Sequence, residues 1–165
     1  ANAFLDEFGG GDEREERMAD VCARLEDAIR ERLDVDLAPM PGADALTSRL
    51  AQVVPLAIGS NSPQCIVEQC VRAIGWQERF TAALGVSAHM NPKPAPDLYR
   101  EAATRLGADP RDCVIFEDSP TGARAAVASG AFVVTIGDDA RGIGTLAVDT
   151  LNDDIVTSWT PEQLT

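Results

Sequence analysis

Hydrophobic positions in the first part of the chain recur every three to four residues. Between Asp12 and Leu33 they are Met18, Val21, Cys22, Leu25, Ala28, Ile29 and Leu33. This spacing predicts an amphipathic helix, and Asp12 and Glu15 are typical of a capping box at its start. Residues 39–42, with two prolines and a glycine, break the pattern, and a short helix is predicted after them through Leu46 and Leu50.

Short apolar runs then alternate with helical patterns. The predicted strands are residues 53–58, 81–86, 113–116 and 132–136. The predicted helices between them begin at Pro63, Pro96 and Pro120 and end at Gly75, Gly107 and Gly130. Uninterrupted apolar strands separated by helices predict a doubly wound, Rossmann-like α/β domain, a parallel sheet with helices on both faces. Residues 138–165 are expected to be loops with one or two short elements.

Polar residues follow the first predicted strand, where the chain reads Gly59-Ser60-Asn61-Ser62. Ligands of doubly wound sheets bind at the carboxyl ends of the strands. The Ser60 hydroxyl, the Asn61 amide and the free N–H groups of the following helix would suit a phosphate. The alternative is that Ser62 only caps that helix.

Two adjacent carboxylates, Glu117 and Asp118, follow the third predicted strand. Two acids at a buried strand end are costly unless a cation offsets their charge, and their oxygens are ligands that Mg²⁺ prefers. The alternative is that one acid caps the next helix while the other faces water.

Lys93 is the only lysine in the chain, since every other basic residue is an arginine. It stands between Pro92 and Pro94, which restrict the backbone on both sides. A stiff loop would present the ammonium above the sheet, although a lysine in a proline-rich surface turn is the plainer interpretation.

Composition narrows the class of partner. The chain has 165 residues, enough for one main domain, and a formal net charge of -13. This charge repels nucleic acid and anionic membranes. Four cysteines without a C-x-x-C pair predict reduced thiols, and the first residues do not read as a signal peptide, so a cytoplasmic protein is expected.

Three segments together resemble the haloacid dehalogenase superfamily of phosphotransferases. They are LAIGSNSP, KPAPDLYREAATRLG and VIFEDSPTGARAAVASG, which match the second, third and fourth motifs of that superfamily. The K-P-x-P-D-L-Y and E-D-S-x-x-G forms are similar to the branch that holds β-phosphoglucomutase and phosphoglycolate phosphatase. The resemblance implies that residues 1–38 are the C-terminal part of a helical cap and that residues 39–165 are the core of this family without its first strand.

The resemblance also implies roles for the polar residues. Ser60 and Lys93 would be catalytic, and Ser60, Asn61, Ser62 and Lys93 would bind the phosphoryl group of the substrate. Glu117 and Asp118 would hold Mg²⁺. The implied activity is a Mg²⁺-dependent phosphatase of small phosphorylated metabolites such as sugar phosphates or phosphoglycolate. The alternatives are a phosphomutase of the β-phosphoglucomutase type and an inactive binding module.

One motif of the family is missing. The aspartyl-phosphate chemistry of the family starts at an aspartate nucleophile in a D-x-D-G-[TV] motif, and no such string occurs here. The nearest string has Asp6, but Phe8 stands where the second carboxylate is needed. We therefore expect the chain to be inactive by itself, with this segment truncated, supplied by another chain or truly absent.

Overall fold

The computed structural model describes residues 16–17, 19–24, 27–28, 37–87 and 89–161. The chain divides into two compact units, residues 1–37 and 38–165. The described residues of the first unit between positions 16 and 28 are helical, as the spacing of apolar residues predicts. The expected capping box at Asp12 and the expected end at Leu33 lie outside the described residues. The assignment of this unit to a cap stays a prediction.

Helices and strands alternate through most of the second unit. They are α1 (Ala43–Leu50), β1 (Ala57–Pro63), α2 (Gln64–Ala73), β2 (Ala82–Val86), α3 (Asp97–Leu106), a 3-10 helix (Pro110–Asp112), β3 (Val114–Glu117), α4 (Pro120–Ser129), β4 (Phe132–Ile136), β5 (Leu146–Val148) and α5 (Asp154–Ser158). Pro120 begins α4, and Gly107 and Gly130 end α3 and α4 in the left-handed conformation that favours glycine. These local signals explain why most predicted boundaries are correct.

The strands form two parallel sheets. One contains β1 and β2, with Ile58 opposite Ala83, and the other has the order β3-β4-β5, with Phe116 opposite Val134. Every pairing is parallel. Within each sheet the carboxyl ends of the strands therefore lie at one edge, which is where the polar residues follow.

Helices cover both faces of each sheet, because successive strand residues point to opposite sides. On β4, Val134 packs in a cluster with Leu46 and Leu50 of α1, whereas Val133 packs with Tyr99 and with alanines of α4. On the smaller sheet, α2 packs on one face through Val67 and Val71, and α3 packs on the other through Leu98 and Ala102. The predicted doubly wound α/β architecture is confirmed.

Two local predictions are wrong. Residues 53–56 are not a strand, because the N–H groups of Val53 and Val54 donate to the carbonyl oxygen of Leu50 and continue the end of α1 as a turn. Strand β1 instead runs through the residues expected to be a loop, with an irregularity in its register between Gly59 and Pro63. Ser62 does not cap α2 either: Pro63 is the N-cap, and no side chain caps the helix.

None of the helices in the described ranges is both long enough and apolar enough to cross a membrane.

Candidate active site

The side chain of Lys93 links the carboxyl ends of the two sheets. Its ammonium donates to the carbonyl oxygen of Gly59 in β1, at 3.0 Å, and to Oε1 of Glu117 at the end of β3. The Lys93 and Glu117 side chains are each 9% exposed. Because a buried charge is tolerated only when it is paired and hydrogen-bonded, these contacts explain how the ammonium is held away from water.

Asn61 fixes the backbone of Lys93. The Lys93 N–H donates to the Asn61 side-chain oxygen at 2.9 Å, and the Asn61 amide nitrogen donates to the Lys93 carbonyl at 3.4 Å. The following peptide bond, Lys93–Pro94, is cis. The loop that carries the lysine is therefore tied to β1, and the position of Asn61 is that of a support for Lys93.

Hydrogen bonds occupy both oxygens of the Glu117 carboxylate. Oε1 accepts from Lys93 and from the hydroxyl of Tyr99, and Oε2 accepts from the N–H and hydroxyl of Ser119 at 3.3 and 3.0 Å. Burial by itself raises the pKa of Glu117, but the bonds from Lys93 and Tyr99 outweigh it, so the pKa lies below its usual range. Glu117 is therefore an ionised partner of Lys93.

Gly122 makes room for this carboxylate. A Cβ atom at that position in α4 would lie 2.2 Å from the carboxylate atoms of Glu117. The hydroxyl of Ser119 accepts from the N–H of Gly122 at 3.0 Å and so caps the helix. The cap that sequence reasoning considered for Glu117 or Asp118 is thus Ser119.

Tyr99 is a site residue that sequence reasoning missed. Its hydroxyl donates to Glu117, and the Lys93 ammonium lies 4.6 Å from the centre of its ring. Burial and the neighbouring Glu117 carboxylate raise the pKa of Tyr99 far above its usual value. A signal was available: Tyr99 is the only tyrosine in the chain, on the otherwise apolar buried face of α3.

Ser60 and Ser62 flank Asn61 in the second half of β1. The Ser62 N–H donates to the Ser60 hydroxyl oxygen at 3.1 Å. Both residues are half-buried. The Ser60 oxygen thus accepts from a residue of the same strand, and the O–H of Ser60 can still donate to a ligand.

Asp118 differs from Glu117 in its surroundings. It is exposed, and in the described part of the chain its side chain makes no hydrogen bond or ion pair. Among those same residues, no three His, Cys, Asp or Glu side chains converge as a metal site. Asp118 is thus the carboxylate of this pair that is available to an added cation.

The residues at this edge of the sheets include hydrogen-bond donors for an anion. They are the ammonium of Lys93, the hydroxyls of Ser60 and Ser62 in β1, and, as a candidate cation ligand, the exposed carboxylate of Asp118 that follows β3. An ammonium has three donors, and the two contacts of Lys93 leave one for an incoming oxygen atom.

Comparison with solved structures agrees with this architecture. The chain aligns with CbbY from Rhodobacter sphaeroides in complex with xylulose-(1,5)bisphosphate at a TM-score of 0.69 and 24% identity, over 90% of this chain and 76% of that one. A hydrolase of the haloacid dehalogenase family from Deinococcus radiodurans, with bound phosphate and sodium, aligns at a TM-score of 0.52 and 31% identity, over 66% and 54% of the two chains.

Sequence comparison points to the same family. The fructose-1-phosphate phosphatase YqaB of Escherichia coli (strain K12) is 33% identical over 110 residues, which are 67% of this chain and 58% of that protein. The matches to three curated relatives, of which YqaB is one, span only 26%, 58% and 53% of the lengths of those proteins. A model of haloacid dehalogenase-like hydrolases matches residues 3–130, and the chain belongs to that family.

Proposed function

We propose that the cluster around Lys93 binds the phosphoryl group of a small phosphate monoester and serves a Mg²⁺-dependent phosphatase reaction. The observation that carries this proposal is the position of the only lysine, whose buried ammonium lies between Gly59 of β1 and Glu117 of β3. The bound phosphate of the Deinococcus radiodurans hydrolase and the substrate named for YqaB support this ligand class.

Each residue of the cluster has a distinct task in the proposal. Lys93 donates to a phosphoryl oxygen and offsets the negative charge that accumulates in phosphoryl transfer. Ser60 donates its hydroxyl hydrogen to a second oxygen, with Ser62 beside it. Asn61 holds the Lys93 backbone, and Glu117 keeps the ammonium in place.

Asp118 is the residue that fits a magnesium ion. The oxygens of Glu117 already accept four hydrogen bonds, so it is the less suitable of the two acids. When bound, Mg²⁺ would offset the charge on the phosphoryl oxygens. One carboxylate is fewer than such a site needs, so water, the phosphate and a carboxylate outside the described residues would supply the other ligands.

The nucleophile is the part of the proposal that the printed sequence does not supply. In the aspartyl-phosphate route a carboxylate oxygen bonds to phosphorus while the bond to the alcohol breaks, a proton passes to the alcohol, and water hydrolyses the acyl phosphate. We place the required aspartate on a strand from outside these residues. Among the described strands, β1 pairs only with β2, and β3 pairs only with β4, so each has an edge to offer.

A D-x-D triplet does occur in the sequence, at Asp34-Val35-Asp36, and it is nearer to the family motif than the string at Asp6 because both of its carboxylates are present. It lacks the Gly-[TV] that completes the family motif, since Leu37 and Ala38 follow it. The two aspartates lie outside the described residues. They make the variant Asp34→Asn a necessary control in any activity assay of this chain.

Binding of inorganic phosphate in the presence of Mg²⁺ tests the site independently of turnover. Isothermal titration calorimetry would compare the wild-type chain with Lys93→Met and with the control Arg79→Met. Both variants remove one positive charge, so the overall field changes equally. We expect Lys93→Met to weaken binding about tenfold or more, from loss of one charge-assisted hydrogen bond, and Arg79→Met to leave it unchanged. Equal losses in both variants would contradict the proposed site.

Turnover tests the nucleophile. We expect the chain with Mg²⁺ to release no phosphate from fructose 1-phosphate or phosphoglycolate, and to gain activity when a peptide with an apolar strand ending in Asp-x-Asp-Gly-Thr is added. Activity of the chain alone that Asp34→Asn abolishes would place the nucleophile within this sequence and refute that part of the proposal.

A further inference from the structure

Packing fixes the ring of Tyr99 below the lysine. The residue is buried in α3 and packs in a cluster with Ala125 and Ala126 of α4 and Val133 of β4. These three neighbours are fully buried, so the ring lies in a close-packed interior that restricts its rotation. Tyr99 is thus a preformed surface rather than a side chain that adjusts to its partners.

Two different groups of Tyr99 contact the two members of the buried ion pair. The face of the ring lies 4.6 Å from the Lys93 ammonium, within the range of a cation–π interaction. The hydroxyl donates to Oε1 of Glu117, the oxygen that also accepts from Lys93. One side chain therefore holds both the cation and its counter-ion.

A lysine needs such support when no ligand is bound. Its side chain is flexible and its ammonium is strongly hydrated, so burial is unfavourable unless several partners replace water. Within this chain the carbonyl of Gly59, the carboxylate of Glu117 and the ring of Tyr99 are those partners. The first two accept hydrogen bonds, and the ring contributes a cation–π contact that uses no oxygen acceptor, so one N–H of the ammonium is still available to the anion.

We infer that Tyr99 is a positioning residue for phosphate binding: its ring holds the Lys93 ammonium, and its hydroxyl holds Glu117, before the anion arrives. This inference rests on the proposed function, since it names the residue that prepares that site. The two groups of Tyr99 have separable effects. Tyr99→Phe keeps the ring under Lys93 and removes only the hydroxyl, whereas Tyr99→Leu removes both contacts.

The composition of the chain makes the test specific. Lys93 is the only lysine and Tyr99 the only tyrosine, so lysine labelled with ¹³C and ¹⁵N gives one set of side-chain signals by nuclear magnetic resonance. In the wild-type protein, we expect the ring to shift the Lys93 ε-methylene protons away from their position in a flexible peptide. Tyr99→Phe should keep most of this shift, and Tyr99→Leu should abolish it.

Phosphate affinity is the second measurement, made on the same samples with inorganic phosphate and Mg²⁺. We expect Tyr99→Leu to weaken binding about fivefold to tenfold, in line with the strength of a desolvated cation–π contact, and Tyr99→Phe to recover most of that loss. The part of the affinity that phenylalanine does not recover measures the contribution of the hydroxyl that holds Glu117.

Trp76→Leu is the matched control. Trp76 is as buried as Tyr99, and it too packs under a cation, with Arg79 at 4.9 Å, and donates to a carboxylate, that of Asp44. Neither Arg79 nor Asp44 is part of the proposed site. We expect Trp76→Leu to lower stability while the Lys93 signals and the phosphate affinity stay as in the wild type.

The outcomes separate the two proposals. An unchanged Lys93 shift in Tyr99→Leu, or a loss of that shift with undiminished phosphate affinity, overturns the positioning role. A wild-type protein that shows the expected shift but binds no phosphate overturns the proposed function, while the contact between Tyr99 and Lys93 would stand by itself.

Discussion

Two clusters in the second unit have the same design at different depths. In each, an aromatic side chain donates a hydrogen bond to a carboxylate, a basic side chain pairs with that carboxylate, and the cation lies over the aromatic ring. The buried cluster consists of Tyr99, Lys93 and Glu117. The outer cluster consists of Trp76, Arg79 and Asp44, with the indole and guanidinium nitrogens 3.0 and 2.7 Å from Asp44 Oδ1.

Exposure of the charged groups separates the two clusters. The side chains of Arg79 and Asp44 are 21% and 67% exposed, so water shares in solvating them. Lys93 and Glu117 have almost no such help, and each of their hydrogen bonds replaces water that was lost. The outer cluster therefore links α1 to the turn after α2 at little cost, whereas the buried cluster is costly to form, which is why we propose a function for it beyond stability.

The largest expected effect is removal of the buried carboxylate. Glu117→Ala leaves the Lys93 ammonium buried without its counter-ion, which should lower the free energy of unfolding by about 3–5 kcal/mol. Asp44→Ala should cause a much smaller loss, because water can solvate Arg79. Urea unfolding followed by tryptophan fluorescence measures both, and a loss in Asp44→Ala as large as that in Glu117→Ala would remove the distinction between the clusters.

The double variant Lys93→Met with Glu117→Leu should regain much of the lost stability, since no unpaired charge remains.

Gly122→Ala should disturb the buried cluster without changing any of its three members. The new Cβ would lie 2.2 Å from the Glu117 carboxylate, which four hydrogen bonds hold in place. We expect a loss of about 1–3 kcal/mol, typical of overpacking, together with a change in the Lys93 signals. Gly107→Ala is the control: it strains a left-handed residue at the end of α3, where nothing lies within 4 Å of the added Cβ. Lys93 signals that respond equally to both variants would refute a specific role of Gly122.

Replacing the basic residue of each cluster by the other type of basic residue tests how tightly each cluster is packed. Lys93→Arg puts a larger, planar cation into a buried space shaped for an ammonium and should cost about 1–3 kcal/mol. Arg79→Lys should cost less, because the outer cluster is open to water and can adjust. Thermal unfolding of the two variants measures the difference, and an Arg79→Lys variant that is the less stable of the two would contradict this interpretation.

We expect a still smaller effect from the pH dependence of the stability that Asp44 contributes. The hydrogen bonds from Arg79 and Trp76 hold the pKa of Asp44 below its ordinary value of 3.8. A carboxylate with a lowered pKa adds stability above its unfolded-state pKa, and this contribution is lost as the pH falls through the folded-state pKa. Asp44→Asn should therefore match the wild type more closely at low pH than at neutral pH. Urea midpoints between about pH 6 and about pH 2.5 measure this, and a gap that widens in acid would show that the sign is wrong.

Local signals account for the parts of the fold that could be predicted. Pro120 begins α4, and Gly107 and Gly130 end helices, because their allowed backbone angles act within one turn of the chain. The run of apolar, β-branched and aromatic residues in β4 also predicts its strand correctly, because this preference too is a property of neighbouring residues. The run from Val53 was misleading: its first residues extend the turn after α1, and polar residues from Gly59 onward continue the strand.

Some residues of the candidate site were predicted from local sequence patterns, and one was not. Ser60 and Glu117 were predicted as site residues because they follow apolar runs, and Lys93 because it is the only lysine and stands between two prolines. The motifs around them identified the family. Tyr99 was read only as part of the apolar face of α3. Nothing within one turn of the chain indicates that its hydroxyl has a partner, because Glu117 is 18 residues away.

Sequence patterns were enough to predict most of the helices and strands between residues 43 and 136, to identify the haloacid dehalogenase-like hydrolases and to single out Lys93 as the only lysine. Folding in three dimensions pairs Glu117 with that lysine, leaves Asp118 exposed and brings Tyr99 into contact with both members of the pair. The physical reason is range. Backbone preferences act over a few residues, whereas the donors to the buried carboxylate come from the Lys93 loop, from Tyr99 of α3 and from Ser119 at the start of α4, which meet only when the helices pack on the sheets.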